Sequence, residues 1–81
     1  MKFPLFKEVA LARDIPEEGL RKGDIAMVVD YHPVSGGEDG YSLEVFNAVG
    51  ETIVVTVVAE SAIEALRGNQ VFSVRALAKS A

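Results

Sequence analysis

The chain has 81 residues, enough for one domain and too few for two. It has no cysteine, which excludes a disulfide framework and any Cys-containing zinc site. Its formal charge of −4, with Arg21-Lys22 as the longest basic run, gives a nucleic-acid backbone little to bind. Hydrophobic residues make up 49% and the mean hydropathy is +0.24, which is high for a chain that must keep a wetted outside. That excess points to a surface that meets another protein or a second copy.

Glu8 to Ala12 reads as a short strand, part of a predicted strand over 7–12 with Val9 and Leu11 on one face. A polar connection follows from Arg13 to Asp24, punctuated by Pro16, Gly19 and Gly23. Its large apolar residues, Ile15 and Leu20, are expected to fold back onto the core. The second strand is predicted over 24–31, where Ile25, Met27, Val29 and Tyr31 alternate with Ala26, Val28 and Asp30. His32 to Gly40 is rich in breakers and reads as a hairpin loop. The third strand is predicted over 41–46, with Tyr41, Leu43 and Val45 on one side, followed by a turn at Asn47-Ala48-Val49-Gly50. The fourth, over 52–59, is a valine-rich run that fits burial on both faces.

At Glu60-Ser61-Ala62-Ile63-Glu64-Ala65-Leu66-Arg67 the period changes and predicts a helical turn near 61–66, stopped by Gly68-Asn69. The last strand is placed at 71–77, and Lys79-Ser80-Ala81 as a frayed end. The expected core is Val9, Leu11, Ile25, Val29, Leu43, Ile53, Val55 and Val57. Five short strands, a long first loop and a helical turn before the last strand predict a mainly β fold, a small SH3-like barrel occupying residues 1–81 as a single domain. Closing the sheet would hide its edges.

Several short motifs then resemble a known family. Val9-Ala10-Leu11, Asp14-Ile15-Pro16-Glu17, Gly19-Leu20, Gly23-Asp24 and Val28-Val29 are similar to the bacterial family catalogued as domain of unknown function 4926. Tyr41-Ser42-Leu43-Glu44-Val45 and Gly50-Glu51-Thr52 extend the likeness, which covers about residues 5–60. Ala26 stands where that family commonly carries glycine. The resemblance implies an SH3-like barrel acting as an accessory or partner protein. It also implies an antitoxin-like or immunity-like half of a two-protein pair.

Candidate chemistry is sparse. His32 is the single histidine, at a strand end before Pro33, and reads as a loop residue rather than a general base. Asp30, His32, Glu38 and Asp39 flank one loop, but their spacing matches no metal-binding pattern. No serine has a base at readable spacing, and Gly36-Gly37-Glu38-Asp39-Gly40 lacks the lysine of a phosphate loop. We therefore expect no catalytic residue, cofactor or metal. Tyr31 and Tyr41 bracket the hairpin loop and are expected to pair across strands, or else to form an aromatic recognition patch. Phe46, Phe72 and the outward valines Val54 or Val58 are the other candidate partner contacts.

The expected function is a non-catalytic, cytoplasmic protein-binding or accessory module whose partner is another protein or itself. The alternative is a nucleic-acid- or ribosome-associated barrel. Membrane insertion is not expected: no stretch reaches the roughly 20 apolar residues of a spanning helix. Lys7, Glu8 and Arg13 interrupt any leader-like apolar segment.

Overall fold

A computed structural model describes residues 1–77. The frayed end expected at 79–81 lies outside them. Five antiparallel strands form one sheet: β1 (Glu8–Leu11), β2 (Ile25–His32), β3 (Gly40–Phe46), β4 (Thr52–Ala59) and β5 (Ile63–Ala65). Their order is β4-β3-β2-β1-β5. The outermost strands, β4 and β5, do not pair with each other, so the sheet is open. This corrects the SH3-like barrel, for which the last strand would have to close the sheet.

The fifth strand is also not where periodicity placed it. β5 is three residues long and pairs with β1 through Val9·Ala65, Ala10·Glu64 and Leu11·Ile63. The helical turn shrinks to one 3-10 turn at Glu60–Ala62. Residues 71–77 join no strand. A turn holds the chain at Arg67–Gln70, where the Gln70 N–H donates to the Arg67 carbonyl at 3.1 Å and the Arg67 N–H to Gln70 Oε1 at 2.6 Å. Beyond it, the Arg75 guanidinium is paired with Asp24 in the β1–β2 connection. The tail is tied to a loop by this pair and packs Leu77 against the core, without joining the sheet's hydrogen-bond ladder.

One face of the sheet forms the core. Val9 and Leu11 of β1, Ala26 and Val28 of β2, Tyr41, Leu43 and Val45 of β3, Val54 of β4 and Ile63 of β5 are buried there. Phe3, Ile15 and Leu20 belong to the same cluster, so the first connection does fold back as its apolar residues require. That connection is organised by a Pro16–Glu18 3-10 turn, and Gly19 ends it at φ 72°, a left-handed conformation that glycine adopts without strain. Ala26 is buried opposite Val9.

The faces of β2 and β4 are reversed from the expectation. The ladder between β2 and β3 shifts register between Val28 and Asp30, where a bulge inserts one extra residue. Val28 opposite Leu43 and Tyr31 opposite Tyr41 therefore share the core face, although their positions differ by an odd number. Ile25 and Val29 are half-buried instead of central. On β4 the inward residues are Val54, Thr56 and Val58, opposite Val45, Leu43 and Tyr41. Ile53, Val55 and Val57 are 39%, 64% and 63% exposed, against 9% for Val54.

The faces can be tested by truncation. Leu43→Ala should cost about 2–5 kcal/mol from lost burial and an incompletely filled cavity. Val55→Ala should change stability by less than about 1 kcal/mol, since its side chain is already in water. Urea denaturation of both variants measures the difference, and equal costs would contradict this assignment of faces.

Candidate functional site

The Tyr31–Tyr41 pair forms as the flanking strands require: the two residues are directly opposed, with ring centroids 5.3 Å apart and an interplanar angle of 45°. It is a structural pair and not an exposed aromatic patch. Tyr41 is fully buried, and Phe3 packs edge-on against it at 5.5 Å. The Tyr41 hydroxyl accepts the Lys2 and Phe3 N–H groups at 3.0 and 3.2 Å and donates to Glu60 Oε2 at 2.8 Å. Burial, before the Glu60 contact, raises its pKa. The half-buried Tyr31 donates its hydroxyl to Asp39 Oδ2 at 2.6 Å. That hydrogen bond to a carboxylate is the main cause that pushes the Tyr31 pKa up to about 12 and holds Asp39 below the usual carboxylate range.

The acids around the hairpin loop are committed to local structure. Asp39 Oδ1 accepts the Val34 N–H at 2.9 Å, closing the loop. Asp30 Oδ1 accepts the Tyr31 N–H at 2.8 Å, beside the bulge. Glu38 accepts the Ser61 N–H, which joins the hairpin loop to the turn after β4; hydrogen bonding from the Ser61 side chain, and then from this N–H, lowers the Glu38 pKa. His32 Nε2 lies 2.6 Å from Ser42 Oγ on the neighbouring strand. Among the described residues, no three His, Asp or Glu side chains converge to hold a metal ion.

The remaining candidates separate. Val54 is buried and Val58 packs against the core, so neither is an outward valine; Val55 and Val57 take that place. Phe46 is exposed at the end of β3, and Phe72 is 69% exposed in the tail. Both line a broad, open groove of about 900 Å3, together with Ala10, Ile25 and Met27 of the outer face. The groove's charged groups include Arg75 and Asp24, which neutralise each other through an ion pair and a 3.1 Å Arg75 Nε–Asp24 Oδ1 hydrogen bond.

The feature that sequence reasoning missed is the free edge of β4. The Glu60 N–H donates to the Asp39 carbonyl at 2.8 Å, just beyond the Ala59·Gly40 pair. Antiparallel ladders alternate, so Ala59·Gly40 is a pair without mutual hydrogen bonds, whereas Val58·Tyr41, Thr56·Leu43 and Val54·Val45 exchange them. The backbone N–H and C=O groups of Val55 and Val57 consequently point away from β3, along the open side of the sheet. Their side chains stand on the outer face. The run Thr52–Ala59 contains no charge and no proline, the two devices that commonly blunt an edge.

The profile of the family described as domain of unknown function DUF4926 matches residues 5–65. The chain belongs to this family. The match spans all five strands and stops before the 66–77 tail; the barrel that the resemblance implied is overturned by the open sheet. No curated protein and no solved structure matches the chain. Among the described residues, no helix is long and apolar enough to cross a membrane.

The Tyr31–Asp39 contact makes stability depend on pH at both ends. Asp39 is depressed in the folded state, so its contribution is present above the unfolded carboxylate pKa and is lost as pH falls through the folded value. Tyr31 is raised, so its contribution is present below the ordinary tyrosine value of 10.0 and is lost as pH rises toward about 12. Thermal melts across both ranges should show Tyr31→Phe flattening the two declines. Unchanged slopes in that variant would remove the contact as their cause.

Proposed function

We propose that this protein is a non-catalytic binding module that recruits a protein partner by strand addition to β4. The observation that carries this reading is the combination, on one edge, of outward backbone groups at Val55 and Val57 with exposed β-branched side chains and no charge. An added strand gains main-chain hydrogen bonds, while alternate side chains supply selectivity. An uncovered edge of this length and composition otherwise invites unspecific pairing.

The polar residues support the same reading. His32, Asp30, Glu38 and Asp39 each engage a strand or loop neighbour, which accounts for them as parts of the fold. The proposed partner is a protein chain, either a different one or a second copy. The Phe46–Phe72 groove touches β4 only at Ile53, not at Val55 or Val57, and is not needed for strand addition.

A photo-crosslinking phenylalanine derivative placed at position 57 tests the proposal in living cells. The expected result is a discrete protein adduct from position 57 and none from position 34, an exposed loop site used as control. No adduct from position 57, or equal adducts from both positions, would overturn it.

A further inference from the structure

We infer that the occupant of the β4 edge is a second copy of this chain, paired antiparallel with β4 about a two-fold axis at Thr56. This rests on the reading of β4 as a binding edge and names its partner. An antiparallel strand is its own complement under a two-fold axis, so the same patch serves both subunits and the assembly closes at two. The strand between Glu51 and Glu60 is uncharged, so bringing two copies together sets no like charges opposite each other.

The register follows from the local geometry. The β3–β4 ladder shifts between Val45 and Phe46, where Val54 is opposite Val45 and Thr52 is opposite Phe46. Ile53 is therefore the extra, bulged residue, and the regular edge runs from Val54 to Ala59. A two-fold axis at Thr56 keeps the pairing of residues 54–58 within that regular stretch. It sets Val55 of each copy opposite Val57 of the other, so the outward N–H and C=O groups meet as hydrogen-bonded pairs. Thr56 meets Thr56, and Val54 meets Val58, on the core face. An axis at Val55 would instead bring the Ile53 bulge into the ladder opposite Val57. The Thr56 register leaves both outer faces on the same side and extends each sheet to ten strands. The other free edge, β5, is three residues long and offers no comparable ladder.

Sedimentation of the purified chain and two double variants tests partner and register together. The natural chain should sediment at twice its 8.7 kDa mass. V55K/V57K places lysines opposite lysines and should sediment as a folded monomer, with its thermal transition retained. V55K/V57E places a lysine opposite a glutamate at both positions and should recover the dimer. With an axis at Val55, the two lysines of V55K/V57E would face each other and the dimer would be lost. A monomeric natural chain, a dimeric V55K/V57K or a monomeric V55K/V57E would overturn the inference. If the purified chain is monomeric while position 57 still crosslinks a different protein in cells, self-pairing fails and the binding edge stands. If neither association is found, both readings fail.

Discussion

The hydroxyl of Tyr41 sits where three parts of the chain meet. Its ring is fully buried on β3, and a phenolic oxygen there would be costly without partners. Two backbone N–H groups from the N-terminal segment and the Glu60 carboxylate satisfy it. The segment before β1 is thereby held against the core, where Phe3 covers the ring, and the turn after β4 is held near the start of β3. Among the described residues, no buried side-chain nitrogen or oxygen lacks a partner. The Glu60 end of this network fixes where β4 stops, and the chain then crosses the core to place Ile63 opposite Leu11.

From that constraint follows the asymmetry of the sheet. β5 leaves the Glu60–Ala62 turn directly onto β1 and is used up in three residues. The tail beyond it returns to the β1–β2 connection, where Arg75 meets Asp24 and the Gly19 carbonyl. Among the described residues, no strand pairs with β4 on its open side. A small sheet can hide its edges by closure, by cover or by charge. β4 has neither closure nor charge, which is the observation behind the proposed strand addition. Part of the hydrophobic excess of the composition lies outside the core, at Val55 and Val57, while the core takes up Val54.

The bulges give the sheet its handed choice of faces. The extra residue in β2 lets Val28 and Tyr31 both face inward, and the one in β4 separates Val54 from Thr52. Without the first, Tyr31 would leave Tyr41 and Asp39 would lose its phenolic donor. Without the second, the outward set on β4 would continue in phase through Ile53. Small local irregularities therefore decide which valines hold the fold together and which meet solvent or a partner.

The sequence by itself determined the strands β1 to β4 to within one or two residues, because Gly, Pro and Asn punctuation bounds each β-branched run. It also determined the Tyr31–Tyr41 opposition, since both residues flank one hairpin loop. It could not determine the faces. On β4 both alternating sets are apolar, and on β2 a bulge changes the phase midway, so a period of two carries no sign. Nor could it determine closure: 71–77 has the alternation of a strand, but a strand also needs a neighbour with free hydrogen-bonding groups. The tertiary structure decided that this segment is anchored by Arg75 to a loop, that Ile63–Ala65 takes the place beside β1, and that β4 keeps an open edge. Pairing between residues far apart in the chain is a property of the assembled sheet, which local pattern does not encode.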